Sequence, residues 1–133
     1  MDLTKLDVVS LANEGSRLEL IHPTTGEPLT DEGKPAKPYF IQLLGSDSDA
    51  YRNVLKRRAE KTVTNKNKKV DIEKSLRDGA SLLAKCTIDC YMIENGKQVQ
   101  CQRDELIRLY LGYPWIREQV EQFMVDRSNF IKS

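Results

Sequence analysis

The apolar residues between positions 71 and 91 recur in steps of three and four, which is the period of a helix with one buried side. Asp71 is a good N-cap for this helix, because its carboxylate can accept hydrogen bonds from the free amides of the first turn. The pattern therefore predicts a central helix over residues 71–91, on which the rest of the chain packs. Its predicted buried face consists of Ile72, Leu76, Ala80, Leu83, Ala84, Thr87, Ile88 and Tyr91.

Two short strands are predicted before this helix. Residues 17–22 alternate between polar and apolar side chains, as a half-buried strand does, and residues 39–44 form an apolar run that pairs with them. The segment between them contains turn residues, followed by a polar loop at residues 30–38 that is rich in Pro and Gly and is predicted to be exposed. Residues 1–44 are therefore interpreted as a small β unit, in which residues 1–13 fit either a short helix or an edge strand.

Three further helices and one tight turn are predicted from local patterns. Ser46 and Asp49 have the spacing of a capping box, which predicts a helix over residues 46–61. Residues 62–70 are poor helix formers without periodicity and are predicted to be a mobile connection. Asn95-Gly96 indicates a type I′ turn. Helices are predicted at 103–111 and from Pro114 to about residue 127, and the last one is expected to bury Trp115, Ile116, Val120, Phe123 and Met124.

The order of these elements predicts an α+β fold in a single domain over residues 1–133. A small N-terminal β unit precedes a mainly helical C-terminal bundle, whose core is formed by residues 71–130. A chain of 133 residues is long enough for one domain with its own hydrophobic core.

Composition narrows the classes of protein to which the chain can belong. Its 21 basic and 20 acidic residues nearly cancel, so its net charge does not indicate nucleic-acid binding. The N-terminus does not resemble a signal peptide, and no stretch approaches the roughly 20 apolar residues of a membrane span. Three cysteines, an odd number, argue against a disulfide framework. These features predict a soluble intracellular protein with reduced thiols.

Cys86, Cys90, Cys101 and His22 are candidates for a zinc site, because a Cys₃His set supplies the four ligands that zinc needs. Cys86 and Cys90 are four residues apart on a predicted helix, whereas structural zinc sites usually take their first pair from a tight knuckle. Cysteine is also a common small core residue. The sequence therefore predicts no metal and no cofactor.

A basic run between residues 56 and 69 is the strongest charge feature of the chain. Such a run can neutralise phosphates, but it lacks interleaved aromatic residues, so a solvated helix face is the simpler interpretation. Residues 1–50 contain nine acidic and four basic residues, so the chain has one acidic and one basic region, which suits self-association or a charged protein partner. The net charge of residues 56–69 is +6, because one acidic residue, Glu60, is outnumbered by seven basic residues: Lys56, Arg57, Arg58, Lys61, Lys66, Lys68 and Lys69.

The C-terminal segment, residues 113–130, is nearly half apolar or aromatic. Its apolar face either completes the core or forms a groove or ridge for another helix. The sequence contains no Gly-rich phosphate loop, no nucleophile elbow and no pair of carboxylates that stands out as an acid/base couple. We therefore expect a binding protein and not an enzyme.

Four segments together resemble the tail assembly chaperones of long-tailed, lambda-like bacteriophages of the siphovirus type. These are Gly45-Ser46-Asp47-Ser48 with the following Tyr51-Arg52, residues 82–89 (LLAKCTID), residues 113–120 (YPWIREQV) and residues 126–130 (DRSNF). The resemblance covers about residues 15–130, and the last two segments are its most characteristic part.

The resemblance implies a non-enzymatic protein of the infected host cytoplasm that is absent from the mature virion. It implies binding to the tape measure protein and promotion of tail tube protein polymerisation around it. A longer product made by ribosomal frameshifting is common in the family, and self-association is expected of a chaperone with apolar surface. The alternatives are a small nucleic-acid-binding or regulatory phage protein that uses the basic run, and a permanent structural part of the tail. The candidate partner-binding residues are Lys56, Arg57 and Arg58, with Met124 and Phe130 if either proves exposed.

Overall fold

The computed structural model describes residues 2–64 and 71–131, with the side chains of residues 62–64 left aside. Within these ranges the fold is α+β, as predicted, with the β sheet built mainly from the N-terminal part and the helices concentrated in the C-terminal part. The helices are α1 (Val8–Glu14), α2 (Asp49–Thr64), α3 (Ile72–Lys85), α4 (Arg103–Gly112) and α5 (Pro114–Val125). The strands are β1 (Ser16–Glu19), β2 (Phe40–Leu43), β3 (Thr87–Tyr91), β4 (Ile93–Glu94) and β5 (Lys97–Gln98). Short 3₁₀ helices cover Leu3–Leu6 and Arg127–Asn129.

The main sheet has the strand order β1-β2-β3, with both pairs antiparallel. The predicted pairing of the two N-terminal strands is confirmed, since Leu18 lies opposite Ile41, but the first strand ends at Glu19 and not at residue 22. On the other side of β2, Ile41 lies opposite Cys90. The central strand β2 is therefore the buried one, and its residues Phe40, Ile41 and Leu43 belong to the core.

The predicted central helix is too long, because residues 87–91 form strand β3 and not the last turns of a helix. Thr87, Ile88 and Tyr91 are β-branched or aromatic residues, which fit a pleated sheet better than a helix. The free edge of β2 offers this segment backbone partners that a helix end lacks, and Leu44 N donates to the Cys86 carbonyl oxygen at 2.8 Å where β2 ends.

The predicted buried face of the central helix is also partly wrong. Ala80, Leu83 and Ala84 are buried, but Ile72 and Leu76 in the first turns of α3 are 73% and 44% exposed. The helix is therefore amphipathic over its whole length, whereas only its C-terminal half is covered by the rest of the described chain.

Helix α2 begins three residues later and ends three residues further along than predicted. Ser48 caps it, since the Ser48 hydroxyl accepts from Tyr51 N at 3.3 Å and is fully buried. Asn13 and Asp49 exchange two hydrogen bonds, at 2.9 and 3.0 Å, which fasten α1 to the start of α2. Residues 62–64 of the predicted connection continue α2, and residues 65–70 lie outside the described part of the chain. Residues 1–13 are predicted to be either a short helix or an edge strand, and the short helix α1 is what forms there.

The loop at residues 30–38 is mostly exposed, as predicted, but its base is fixed to strand β3. The Asp31 carboxylate accepts hydrogen bonds from Lys37 N at 2.8 Å and from the Tyr91 hydroxyl at 2.6 Å. Lys37 Nζ lies 3.9 Å from the centre of the Tyr91 ring, where a cation is attracted to the ring face.

The predicted turn at Asn95-Gly96 connects β4 and β5, and both of its residues have positive φ, as a type I′ turn requires.

The core lies between the sheet and the helices α3, α4 and α5. Its largest completely buried side chains include Tyr110, Leu106 and Leu109 of α4. Trp115, which is predicted to be buried, packs against this core from its edge but remains half-buried. Its ring contacts that of Tyr113 edge to face at a centroid distance of 6.4 Å. None of the helices in residues 2–64 and 71–131 is long and apolar enough to cross a membrane.

Candidate functional site

A cavity of about 430 Å³ opens where α2 passes over the end of α3 and the start of α4. Its walls come from positions one turn apart on these helices, because such positions share a face. The ten residues that line it are Val54, Arg57, Ser81, Leu82, Ala84, Lys85, Thr87, Cys101, Arg103 and Leu106. We call this cavity the basic groove.

The floor of the basic groove is apolar. Leu82, Ala84 and Leu106 are buried core residues, and half-buried Val54 covers them from α2. Cys101, two residues before α4 begins, lies beside them and is also half-buried. Because Leu82, Ala84 and Leu106 are almost completely buried, the floor offers a ligand only their edges together with half-buried Val54 and Cys101, and covering that apolar surface is favourable.

The charged residues that line the basic groove are Arg57, Lys85 and Arg103, one from each helix, and all three are exposed cations. None of them is in an ion pair within the described part of the chain, although Arg57 Nε donates to the Asn53 carbonyl oxygen at 3.4 Å. Arg103 reaches the Ser81 hydroxyl across the groove at 3.5 Å. The rim is therefore positive on three sides.

A second cavity of about 450 Å³ adjoins the basic groove and shares Arg57 and Lys85 with it. It adds Lys56, Asn53 and Glu60 from the outer face of α2. The positive surface thus continues along α2, and two of the sequence-predicted binding residues, Lys56 and Arg57, lie on it.

Arg58, the third of the predicted basic binding residues, has a structural role. It is half-buried, and its Nη2 donates to the Asp78 backbone carbonyl oxygen of α3. This contact fastens α2 to α3. The remaining lysines of the predicted run, Lys66, Lys68 and Lys69, lie outside the described residues.

Met124 and Phe130 do not meet the condition under which they were predicted to bind a partner. They are only 2% and 5% exposed, because Met124 faces the core and Phe130 packs against Phe123 at a ring distance of 5.6 Å. Neither residue is therefore part of the candidate site. The exposed apolar residue of α5 is Val125, at 61%.

Lys85 and Arg103 were not predicted from the sequence. Lys85 is in the last turn of α3 and Arg103 in the first turn of α4, and α3 and α4 pack closely together. Each looks like an ordinary solvated charge at a helix end. Only the packing of the helices shows that they face the same cavity as Arg57.

The half-exposed start of α3 forms a second surface feature. Ile72 and Leu76 are four residues apart, so they lie on one side of the helix and form a short apolar ridge. Exposed apolar side chains on one face of a helix provide a surface that another protein can cover.

All three cysteines are free thiols, and Cys86 and Cys90 are buried. Burial raises the pKa of the Cys86 thiol to about 11 and that of Cys90 to about 12. His22 lies in the turn after β1, where its Nδ1 accepts from Thr24 N and Thr25 N at 3.1 and 3.2 Å. Within residues 2–64 and 71–131, no three His, Cys, Asp or Glu side chains are grouped so that they could hold a metal ion.

Comparison with protein-family models finds no match, and neither a curated protein nor a solved structure matches the chain.

Proposed function

We propose that this chain is a non-enzymatic tail assembly chaperone of a long-tailed bacteriophage, which binds the tape measure protein and promotes polymerisation of the tail tube protein around it. The observation that carries the proposal is the sequence resemblance over about residues 15–130, strongest at residues 113–120 and 126–130. The surfaces support it, because the basic groove and the apolar ridge Ile72–Leu76 both suit protein binding.

The chemistry of the basic groove supports a binding role. Its lining consists of aliphatic, hydroxyl, thiol and cationic side chains, and no carboxylate or imidazole is among the ten lining residues. Aliphatic and cationic side chains give affinity and charge complementarity, which a chaperone needs for a long helical partner. As a chaperone of assembly, the protein acts in the host cytoplasm and leaves before the virion is finished.

Co-expression tests the proposal directly. The tape measure protein is expressed with and without this chain, and soluble yield and complex formation are scored by gel filtration. We expect the tape measure protein to be soluble only with its chaperone and to elute with it. Equal solubility alone, with no complex, would contradict the proposal. Finding this chain in purified virions would instead identify a structural part of the tail.

A second candidate is a small nucleic-acid-binding or regulatory phage protein, favoured by the charge of +6 over residues 56–69. It predicts binding to duplex DNA that weakens steeply as salt rises, because cations that neutralise phosphates release counterions. Such binding, without any complex with tail proteins, would replace the chaperone proposal.

A further inference from the structure

The basic groove combines two kinds of surface that call for different chemistry in one ligand. Half-buried Val54 and Cys101, with the edges of the more deeply buried Leu82, Ala84 and Leu106, form an apolar floor, which is best covered by an aliphatic side chain. Arg57, Lys85 and Arg103 stand around that floor on three helices, so anionic groups on either side of the aliphatic side chain would each meet a cation.

The positive charge of the basic groove is not paired with an acidic side chain in the described part of the chain. Arg57, Lys85 and Arg103 are exposed, and none is in an ion pair within the described residues. Elsewhere in those residues other arginines are in ion pairs, as Arg108 is with Glu94 and Arg127 with Asp47. The groove cations are therefore available to carboxylates of a partner.

The lining favours a protein segment over a nucleic acid. No residue that lines the basic groove is aromatic, whereas single-stranded nucleic acids are held mainly by stacking on aromatic rings. Duplex DNA is bound through phosphates by cations spread over a surface, and it makes no use of an aliphatic floor. An amphipathic helix uses both an apolar floor and a charged rim.

We propose that the basic groove binds an acidic amphipathic helical segment of the tape measure protein, in which one or two aliphatic side chains are flanked by Asp or Glu. The aliphatic side chains pack on Val54 and Cys101, and the carboxylates pair with Arg57, Lys85 and Arg103. This inference rests on the proposed function, since it names the part of the partner that the chaperone recognises.

The test uses the full-length chain and an array of overlapping peptides that covers the tape measure protein. Wild-type chain is compared with the reversal variant Arg57→Glu/Lys85→Glu/Arg103→Glu and with the neutral variant Arg57→Gln/Lys85→Gln/Arg103→Gln. A control variant, Lys5→Glu/Lys34→Glu/Lys97→Glu, changes the net charge by the same amount as the reversal variant, at exposed sites outside the groove. Circular dichroism melting verifies folding, and the neutral variant keeps the test valid if the reversal variant does not fold.

We expect the peptides bound by the wild-type chain to be rich in Asp and Glu around Leu, Ile or Val. The reversal variant should bind them at least about tenfold more weakly at low salt, the neutral variant should be intermediate, and the control should match the wild type. Equal loss in the control variant, or bound peptides without an acidic bias, would overturn the groove assignment.

The two proposals fail in different ways. If the co-expressed complex forms but survives reversal of the groove charges, the chaperone proposal stands and the groove assignment is wrong. If no complex forms and no peptide binds, both are wrong. If the wild-type chain binds duplex DNA more tightly than any peptide at the same salt concentration, the groove is part of a nucleic-acid site.

Discussion

At the scale of single residues, the core contains one pair of hydrogen-bonded hydroxyl groups, those of Tyr110 and Thr87. Tyr110 is completely buried, and its hydroxyl oxygen lies 2.7 Å from the Thr87 hydroxyl. Thr87 Oγ1 also lies 2.8 Å from the Leu83 carbonyl oxygen, which can only accept a hydrogen bond. Thr87 therefore donates to Leu83, and Tyr110 donates to Thr87.

This chain of hydrogen bonds predicts unequal effects of two substitutions. Thr87→Val leaves the Tyr110 hydroxyl buried without a partner and should lower the free energy of unfolding by about 1–3 kcal/mol. Tyr110→Phe removes that hydroxyl and should cost nearer 1 kcal/mol. Urea denaturation of both variants and of the double variant measures the difference. If Thr87→Val costs the same in the Tyr110→Phe background as in the wild type, the two hydroxyls do not interact.

The cysteines give a second prediction at this scale. Because burial raises the pKa of Cys86 and Cys90 to about 11 and about 12, both thiols stay protonated at neutral pH and are poor metal ligands or nucleophiles. Protein purified without chelator should contain no stoichiometric zinc, and chelators should leave its unfolding midpoint unchanged. One zinc ion per chain, with unfolding on chelation, would show that this assignment is wrong.

At the scale of elements, the β4–β5 hairpin is attached to α4 through Glu94. Arg108 Nη2 donates to Glu94 Oε1 at 2.6 Å, and the Tyr113 hydroxyl donates to Glu94 Oε2 at 2.5 Å. The Arg108 guanidinium, and after it the Tyr113 hydroxyl, holds the pKa of Glu94 below its ordinary value of 4.5. Glu105 also pairs with Arg108. Because this attachment is ionic, protonation of the Glu94 carboxylate in acid will weaken it.

Because its pKa is lowered in the folded state, Glu94 stabilises the fold at pH values above 4.5, and this contribution is lost as the pH falls through the lowered pKa. Glu94→Gln should therefore be less stable than the wild type at neutral pH, and the difference should shrink in acid. Thermal unfolding from pH 7 to pH 3 measures it. A stability difference that is constant with pH would mean that the charge of Glu94 does not matter.

Elements set by short-range chemistry could be predicted from the sequence, and those set by tertiary partners could not. The Asn95-Gly96 turn and the Asp71 cap depend on residues two or three positions away, and both form as expected. The sequence predicts helix where strand β3 lies, because Thr87, Ile88 and Tyr91 also fit a helical period. The strand conformation depends on the free edge of β2, about 45 residues earlier in the chain.

At the scale of the whole molecule, the candidate site shows the same limit. Lys56 and Arg57 belong to a basic run that is visible in the sequence, whereas Lys85 and Arg103 join them only because α2, α3 and α4 pack together. Conversely, the apolar C-terminal segment allows two interpretations, as core or as binding surface. The burial of Met124 and Phe130 assigns these two residues to the core.

Charge on the outer face of α2 should control how fast a partner binds. Lys56→Ser/Arg57→Ser should slow association with the tape measure protein at low salt and have little effect at high salt, because exposed charges act mainly through screened, long-range attraction. Arg58→Ser should behave differently and lower stability, since Arg58 links α2 to α3. Stopped-flow association at several ionic strengths, with unfolding curves for each variant, separates the two effects. If Lys56→Ser/Arg57→Ser lowers the association rate by the same factor at every ionic strength, electrostatic steering is not the cause.

Suppression of aggregation by purified components tests the central claim most directly. Denatured tape measure protein is diluted into buffer containing increasing amounts of this chain, and light scattering is recorded. If this chain is a chaperone for the tape measure protein, scattering should fall in proportion to the added chain and level off at a fixed molar ratio, with the protected protein recovered in a complex. Scattering that is no lower than with an equal mass of an unrelated protein such as lysozyme would contradict it.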